Sequence, residues 1–492
     1  MFLIGYDLGS SSIKVSLLDA NSGRCVGVVK YPEEEMPIAA PQPGWAEQDP
    51  ELWWEYCGIA TRQLLARYAV APEAIAALGL AYQMHGLVLV DDAHRVIRPA
   101  IIWCDSRAVE IGKRAWEALG REACLQHLLN SPGNFTASKL KWVRDHEPDH
   151  YRRIHKAMLP GDYLAMKMTG HIRSTLSGLS EGIFWNFTEN DLAHRLLDHY
   201  GLEPSLLPEL VPTFGEQGQL TASAAEALGL RAGIPLTYRA GDQPNNALSP
   251  NVLRPGEGAA TGGTSGVVYG VLDRLAYDPQ SRVNSFAHVN HRAERPRIGV
   301  LLCINGAGIQ YRWIKQRVGA VGLSYSEMEA RAAAVPIGSD GLRLLPFGNG
   351  AERVLGNRSP GARINNLQFN RHGEEHLFRA ALEGIAFSFV YGVEILRDLG
   401  LDLRVIRVGN DNLFRSAIFA QTIAALVGSP IEVLESTGAT GAARAAGVGV
   451  GIYSDVAAAL SGERIQQTYL PPAAAAYAAA YEDWRRDLDQ LI

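Results

Sequence analysis

Alternating runs of apolar and polar residues predict a mixed α/β protein from the first residues onward. Short apolar runs separated by turn residues predict strands over residues 2–6, 13–19 and 25–31. The following stretch, PELWWEYCGIATRQLLARY, carries apolar residues at helical spacing, and Asp49 before Pro50 is a suitable N-cap. The chain is therefore expected to begin with a small sheet followed by a helix.

Two later apolar runs lead into polar residues that are candidates for chemistry. The stretch ALGLAYQMHGLVLV predicts strand, loop and strand, with Met84 and His85 in the loop. The stretch PLTYRAGDQPNNALS predicts a strand that ends at Gly241 and Asp242, and its Pro-Asn-Asn tail predicts a loop.

The opening pattern returns about halfway along the chain. GEGAATGGTSGVVYGVLD is again a strand, a small polar tip and a strand, so that GSSSI at 9–13 aligns with GTSGV at 263–267. A long helical stretch, EEHLFRAALEGIAFSFVYGVEILRDLG, and the strand VIRVG follow, and the Ala-rich tail over 455–492 has helical spacing. Two similar α/β halves are expected, with the tail capping the second.

The two small polar tips predict phosphate binding, because exposed backbone amides and hydroxyls with little side-chain bulk can hold phosphate oxygens. Asp7 precedes the first tip, and an aspartate beside a phosphate is repelled unless a metal ion lies between them. The sequence therefore indicates a nucleotide and Mg²⁺. The residues expected to contact phosphate are Gly9, Ser10, Ser11, Gly263, Thr264 and Ser265.

Composition and charge narrow the classes of protein. A chain of 492 residues, 47% of them hydrophobic, is long enough for two or more globular domains. Its formal net charge of −6 and the lack of a long basic run argue against nucleic acid, and no apolar stretch has the length of a bilayer span. Five scattered cysteines without CxxC spacing, and no signal-peptide pattern in residues 1–19, predict free thiols and a cytoplasmic location.

Several motifs carry a likeness to one known family. The likeness runs from Gly5 to about Gly449, and the motifs that carry it are, in order, DLGSSSIKV, WAEQDPELWW, QMHG, WCDSR, FTASKLKWVRDHEP, the Gly241–Asp242 corner, TGGTSGV and ALEGIAFS. Their joint order and spacing resemble the FGGY carbohydrate kinase family, and within it the xylulose kinases.

This resemblance implies an α/β fold of two actin-like (ribonuclease-H-like) ATPase domains with an interdomain cleft for ATP and sugar. It implies an N-terminal, sugar-binding domain over residues 1–246 and a C-terminal, nucleotide-binding domain over 247–492. The reaction it implies is transfer of the γ-phosphoryl group of ATP to the 5-hydroxyl of D-xylulose, giving D-xylulose 5-phosphate.

Asp242 is the candidate general base. It follows a glycine at a predicted strand end, where a carboxylate can take the proton of an attacking sugar hydroxyl. On the residues alone a helix cap at DQPNN is the commoner role for such an aspartate. The match of Gly241–Asp242 to the family's catalytic loop favours the base.

Asp7 and Lys14 flank the first tip. Asp7 is expected to hold Mg²⁺ through water, because this ion gives up its hydration reluctantly; the alternative is a turn residue that accepts local amides. Lys14 either contacts a transferring phosphate or is a solvated strand residue, since it alternates with Ile13 and Val15.

The expected sugar-binding residues differ from the family pattern at one position. Met84 and His85 lie where the family binds sugar, although such residues are more often structural. Gln243 follows Asp242, where many xylulose kinases have Asn. A Gln offers the same amide donors one methylene further out, so the sugar geometry is expected to differ in detail.

The stretch VGNDNLFRSAIF corresponds to the family's adenosine-binding loop and differs more strongly from the family pattern. It carries Asn410 and Asp411 where the family has two glycines. Glycines there let the backbone approach the nucleotide closely. Gly409 and Asn412 are the expected nucleotide contacts, in a rearranged base or ribose pocket.

Three other functions stay open on the sequence. One is a kinase of the same family for another sugar or polyol, such as L-ribulose, L-fuculose or glycerol, although QMHG favours xylulose. A second alternative is a non-catalytic sugar-binding protein, which the altered adenosine-binding loop suggests. The presence of Asp7 and Asp242 argues against it. A chaperone or filament-forming ATPase of the same fold would lack the sugar loop. Because the family is often dimeric, the resemblance also implies a homodimer.

Overall fold

The computed structural model describes residues 1–318 and 322–492, which form two compact units. The first unit comprises Met1–Asn251, Phe286–Ile298 and Ser436–Glu463, and the second comprises Val252–Ser285, Gly299–Glu435 and Arg464–Ile492. The domain division after residue 246 stays a prediction. The structure adds that residues 286–298 and 436–463 pack with the first unit.

The strands of the described residues are β1 (Phe2–Leu8), β2 (Ile13–Asp19), β3 (Cys25–Tyr31), β4 (Glu47–Gln48), β5 (Ile75–Tyr82), β6 (Val88–Val90), β7 (Ala100–Ile101), β8 (Lys156–Met158), β9 (Arg173–Thr175), β10 (Trp185–Asn186), β11 (Asp191–Leu192), β12 (Glu209–Val211), β13 (Phe214–Gln219), β14 (Pro235–Gly241), β15 (Glu257–Gly262), β16 (Gly266–Leu272), β17 (Asn284–Ala287), β18 (Ile298–Ile304), β19 (Arg343–Phe347), β20 (Gly361–Asn365), β21 (Val405–Gly409), β22 (Ile431–Leu434) and β23 (Ile465–Tyr469).

The helices are α1 (Pro50–Tyr68), α2 (Val109–Leu119), α3 (Arg121–Leu128), α4 (Thr136–His146), α5 (Pro148–Tyr151), α6 (Pro160–Thr169), α7 (Leu176–Glu181), α8 (His194–Tyr200), α9 (Ala222–Leu228), α10 (Asp242–Leu248), α11 (Ala307–Arg317), α12 (Tyr325–Ala333), α13 (Glu374–Asp398), α14 (Ala417–Val427), α15 (Gly438–Gly449), α16 (Val456–Leu460) and α17 (Ala475–Asp489).

The first unit is built on a six-stranded sheet in the order β13-β14-β5-β1-β2-β3. Strands β1, β5 and β14 are parallel neighbours, whereas β2 and β3 continue the sheet in antiparallel fashion. The three strands predicted at the start of the chain are confirmed as β1, β2 and β3. The predicted cap of α1 is confirmed as well, since the Asp49 carboxylate accepts a hydrogen bond of 3.0 Å from the backbone amide of Glu51.

Helix α15 packs directly on this sheet because its sequence and that of the strands beneath it are rich in small residues. A Cβ atom on Gly5 of β1 would overlap the Ala439 carbonyl oxygen, and one on Gly79 of β5 would overlap the carbonyl of Ala442. Only glycine permits so close an approach of backbone to backbone. The packing brings the start of α15, at Gly438, beside the end of β1.

The second unit repeats the same plan in a sheet of order β17-β18-β16-β15-β21-β22-β23. Strands β15 and β16 form an antiparallel hairpin, and β15, β21 and β22 are parallel neighbours. The repeat predicted from the two Gly-Ser/Thr tips is therefore confirmed at the level of topology. In this unit α17 buries Trp484, whose Nε1 donates to the Leu344 carbonyl at 2.8 Å.

Within residues 1–318 and 322–492, none of the helices combines the length and the apolar character needed to cross a bilayer.

Candidate active site

The candidate site of the first unit lies at the carboxyl ends of its three parallel strands. In register, Leu8 of β1 pairs with Tyr82 of β5, and Tyr82 pairs with Gly241 of β14. The strands therefore end level with one another. Asp7, the loop after β5 and Asp242 consequently share one edge of the sheet, the edge at which α/β proteins bind ligands.

Asp242 is the first residue of α10, directly after β14. The prediction of a loop over the Pro-Asn-Asn tail is wrong: the segment is helical, because Pro244 falls in the first turn, where the missing N–H removes no intrahelical hydrogen bond. Asp242 is partly exposed at the start of this helix.

The surroundings of Asp242 hold its proton tightly. Desolvation by the surrounding protein is the largest cause, and the carboxylates of Asp7 and Glu181 add to it when they are ionised, so that the pKa of Asp242 rises to about 8. Hydrogen bonds from the backbone and side chain of Gln243 act in the opposite direction. The group combines an unusually high proton affinity for a carboxylate with access to small molecules.

Asp7 lies at the end of β1 in a recess lined by oxygen atoms. A Cβ atom on Gly438 would lie 2.8 Å from Asp7 Oδ2 and 2.9 Å from Asn246 Oδ1, so both oxygens face the bare Cα of that glycine. Burial raises the pKa of Asp7, and the Lys14 amine, with Nζ at 3.9 Å from Asp7 Oδ2, opposes that rise. We call Asp7, Asn246 and Gly438 the Asp7 recess.

The tip of the first hairpin is fixed through its carbonyl groups. Ser10 O accepts a hydrogen bond of 2.7 Å from Gln48 Nε2, and Ser11 O accepts one of 2.8 Å from the amide of Met36. The Gly9 amide donates to Ser12 O at 3.0 Å. Lys14 on β2 keeps 47% of its side chain exposed. The tip is thus a small, rigid turn with polar side chains and little bulk.

Met84 and His85 follow β5, with Met84 buried and His85 in a left-handed backbone conformation, φ 61°. The His85 amide donates to Glu181 Oε2 at 2.8 Å, and the His85 carbonyl accepts from Lys139 Nζ at 2.8 Å. The His85 ring packs against Phe135, with ring centres 4.8 Å apart. The imidazole is thereby held at the same sheet edge as Asp242.

Sequence reasoning missed several residues that build this loop. Phe135 and Lys139 belong to the motif FTASKLKWV, which carried the family likeness but gave no sign of a contact with His85. Phe286, whose ring centre lies 5.3 Å from that of His85, comes from a segment about 200 residues further on. Glu181 ends a short helix of small residues, and no local pattern marks it.

The second unit carries a separate pocket of about 610 Å³ at its own hairpin. Three predicted residues line it: Gly263 and Thr264 of the tip, and Asn412, which begins a 3₁₀ turn over Asn412–Arg415. Ser265 Oγ lies 3.3 Å from Asn305 Oδ1, and Gly409 ends β21 outside the pocket lining.

The walls of this pocket were not foreseen from the sequence. Tyr311 and Tyr325 line the pocket, and their rings stack with centres 5.6 Å apart and planes 25° apart, while Arg312 and Arg415 place positive charge in the same lining. Glu329 accepts hydrogen bonds from Ser416 Oγ and the Ile418 amide, which fixes the start of α14. Aromatic and cationic groups beside a Gly-Thr tip suit a ring system that carries phosphates.

Comparison with known proteins defines the class to which this fold and these sites belong. The N-terminal domain of the FGGY family of carbohydrate kinases matches residues 2–249, and the C-terminal domain of that family matches residues 258–450. The chain belongs to the FGGY family of carbohydrate kinases. It is a carbohydrate kinase, an enzyme with ATP and a sugar as substrates, and the predicted family and two-domain α/β fold are confirmed.

Particular members of the family are similar over nearly the full chain. Xylulose kinase of Escherichia coli is 30% identical over 499 residues, covering 99% of this chain and 99% of that protein. The L-xylulose/3-keto-L-gulonate kinase of the same organism is 30% identical over 464 residues, covering 92% and 89%. The crystal structure of xylulose kinase from Rhodospirillum rubrum superposes with a TM-score of 0.90 at 25% identity, covering 100% and 99%.

Proposed function

We propose that this kinase transfers the γ-phosphoryl group of ATP to the 5-hydroxyl of D-xylulose, with Asp242 as the general base. The observation that carries the proposal is the meeting of Asp7 and Asp242 at one sheet edge, close enough for the charge of Asp7 to raise the pKa of Asp242. The names of similar proteins, the xylulose kinases of Escherichia coli and Rhodospirillum rubrum, support xylulose as the acceptor.

The chemistry asked of Asp242 is modest. A sugar hydroxyl is a weak nucleophile, and a carboxylate within hydrogen-bond reach can accept its proton as the bond to phosphorus forms. A carboxylate whose pKa lies at about 8 takes that proton more readily than an ordinary aspartate. Met84, His85 and Gln243 are the proposed sugar contacts, because they flank this carboxylate on the loop after β5 and on α10.

The Asp7 recess fits a hydrated Mg²⁺ ion. It offers a carboxylate oxygen and an amide oxygen, two of the oxygen donors that Mg²⁺ takes in proteins, beside a glycine that carries no side chain. Because Mg²⁺ gives up its hydration reluctantly, an ion held here by two protein oxygens would keep much of its water. When bound, Mg²⁺ supplies charge neutralisation for the phosphates, with Asp7 as its proposed ligand.

Each unit has its own proposed phosphate contacts. In the first unit they are Gly9, Ser10, Ser11 and Lys14 at the hairpin of β1 and β2. In the second they are Gly263, Thr264 and Ser265, with Gly409 and Asn412 as proposed contacts of the nucleoside. The homodimer implied by the family and the cytoplasmic location expected from the cysteine pattern belong to the same proposal, and sedimentation of the purified protein tests the dimer.

The test is ADP release by the purified protein with ATP and Mg²⁺. The panel of acceptors is D-xylulose, L-xylulose, 3-keto-L-gulonate, L-ribulose, L-fuculose, glycerol and no sugar. Strong stimulation by D-xylulose alone supports the proposal, and stimulation by another acceptor moves the specificity but keeps the mechanism. A lack of stimulation by every acceptor contradicts the proposal and favours a non-catalytic sugar-binding protein.

The role of Asp242 has its own test in Asp242→Asn. The amide is isosteric but cannot accept the proton, so turnover should fall by about 10²–10⁴-fold while sugar binding, followed by calorimetry, stays within about threefold. Turnover near that of the wild type would move the base to another residue.

A further inference from the structure

Glu181 is a buried carboxyl group to which the proposed chemistry gives no role. It is the last residue of α7 and 1% exposed. Its side chain accepts a hydrogen bond from the His85 amide through Oε2, at 2.8 Å. Its main-chain carbonyl accepts a second hydrogen bond, of 2.9 Å, from His85 Nδ1. One residue therefore holds both the backbone and the ring of His85.

The backbone of His85 needs such a hold. Its φ of 61° lies in the left-handed region, which is unfavourable for a residue with a Cβ atom. A backbone of this kind persists only where its surroundings fix it, and such positions are common at ligand sites. Here Glu181 fixes the amide side of His85, and the buried Lys139 fixes the carbonyl side with a hydrogen bond of 2.8 Å.

The other carboxylate oxygen of Glu181 faces the strand that carries the proposed base. A Cβ atom on Gly241 would lie 3.1 Å from Glu181 Oε1 and 2.6 Å from Met84 Cγ. Glu181, Met84 and the backbone of Gly241 are therefore in close contact, and Asp242 is the next residue along the chain. A single carboxyl group bridges the sugar loop and the corner at Asp242.

We propose that Glu181 is a positioning residue for the phosphoryl acceptor, which holds the Met84–His85 loop against the Gly241–Asp242 corner. This inference rests on the proposed function of the same site. It predicts that loss of the Glu181 side chain weakens sugar binding and leaves the use of ATP unchanged, because Glu181 does not belong to the lining of the proposed nucleotide pocket.

The charge state of Glu181 follows from its surroundings. The groups that face it are Tyr82 of β5, His85, Lys139 of α4, Asp162 of α6 and Asp242 of α10. Burial raises the pKa of Glu181 to about 8 and lowers that of Lys139 to about 7. Well below about pH 8 Glu181 is therefore mostly protonated. Above it, Glu181 becomes a second negative charge near Asp242, and a neutral Lys139 cannot compensate that charge.

The experiment compares Glu181→Ala, Glu181→Gln and wild type, with Asp162→Asn as a matched buried carboxyl. Asp162 binds Arg239 and the Leu159 amide instead of the sugar loop. We expect Glu181→Ala to raise the KM for sugar about tenfold or more, since one buried donor loses its acceptor. The KM for ATP should stay within about twofold, as should both KM values of Asp162→Asn. An unchanged sugar KM, or sugar and ATP KM values that rise together, would overturn the proposal.

The Glu181→Gln variant tests the same proposal without truncation, so it decides if Glu181→Ala fails to fold. Its amide oxygen can still accept from His85, and we expect a sugar KM within about threefold of wild type near pH 7. We expect ionisation of Glu181 to lower the kcat/KM of the wild type above about pH 8, and because Gln does not ionise, the variant should keep its kcat/KM there. The same alkaline decline in Glu181→Gln and in wild type contradicts the proposal.

Direct binding of D-xylulose, measured by calorimetry on wild type and Glu181→Ala, separates this inference from the proposed function. If the wild type shows no sugar-stimulated ADP release, the proposed kinase activity on these sugars is contradicted. Weaker sugar binding by the Ala variant would still support the positioning role, and equal binding would overturn it.

Discussion

Gly438 at the start of α15 approaches Asp7 at the end of β1 so closely that a Cβ atom would lie 2.8 Å from Asp7 Oδ2. The two residues are 431 positions apart in the sequence, and they meet because α15 returns to the first unit. The contact places α15 beside a carboxylate of the proposed phosphate and metal site. No local sequence pattern connects this helix with that site. Its consequences can be measured.

Gly438→Ala should lower activity more than stability. The atoms that the new methyl group would meet are the ends of two side chains, Asp7 and Asn246, which can move at small cost in folding energy. Their displacement disturbs the geometry of the site, and a shift of about 1 Å can cost about 100-fold in rate. Steady-state ADP release and thermal unfolding measure the two effects. Gly462→Ala is the control, because a Cβ atom there meets nothing within 4 Å; equal activity of the two variants would contradict the expectation.

The pH dependence of turnover should report Asp242. The base must be ionised, and the charge of Asp7 helps to raise the pKa of Asp242 to about 8. The kcat/KM for sugar should therefore fall as the pH drops below that value. Removing one negative neighbour lowers the pKa of Asp242, so in Asp7→Asn the residual activity should decline only at lower pH. An acid limb at the same pH in both proteins would assign it to another group.

The stability of the fold should depend on pH through Glu181. Its pKa is about 8 in the folded protein and near the ordinary 4.5 when unfolded, so the folded state binds the proton more tightly. The free energy of unfolding then decreases as the pH rises from about 4.5 to about 8. Glu181→Gln lacks this titration, so the wild type should lose stability relative to the variant across that range. Urea unfolding at a series of pH values measures the difference, and a constant difference would mean that Glu181 titrates normally.

The aromatic wall of the second unit's pocket should serve the nucleotide. Tyr325→Ala removes one of two stacked rings and should raise the KM for ATP about tenfold, with the sugar KM unchanged. Tyr325→Phe keeps the ring and should restore the wild-type value. Phe369→Ala, at a side chain 91% exposed and outside the pocket lining, is the control. A rise in the sugar KM alone would contradict the assignment of this pocket.

Gly5→Ala should destabilise the first unit, because the new methyl group has no room between β1 and α15. The methyl group would overlap the Ala439 carbonyl, and a backbone cannot yield as a side chain does. Overpacking of this kind costs about 1–3 kcal/mol in the free energy of unfolding. Urea unfolding against the Gly462→Ala control measures it, and a loss below about 0.5 kcal/mol would show that α15 can shift.

Much of the fold could be predicted because its strands and helix ends follow from local sequence patterns. Strands β1 to β3 follow from apolar runs between turn residues, and the cap of α1 follows from Asp49 before Pro50. The two hairpins with small polar tips were recognisable as a repeat, and the structure extends that likeness to the order and direction of the strands around them. Asp7 and Asp242 were identifiable because each stands at the end of a strand.

The loop predicted over residues 244–246 is wrong because local propensity alone was used to predict it. Proline and two asparagines favour a turn by propensity, but the packing of α10 against β14 and α15 outweighs that preference. The free-energy differences in propensity among these residues are small compared with the free energy gained by burying Leu248 and its neighbours. The rest of the fold decides that burial.

By itself the sequence determined the elements, the repeat, the family and the polar residues at the strand ends, because these depend on neighbours within a few positions. The tertiary structure decided which distant residues complete each site. Asp7 meets Gly438, His85 meets Glu181, and the stacked Tyr311 and Tyr325 line a pocket with Asn412. Such contacts depend on sheet register and on helices that return from far along the chain, and neither leaves a mark in the local order of residues.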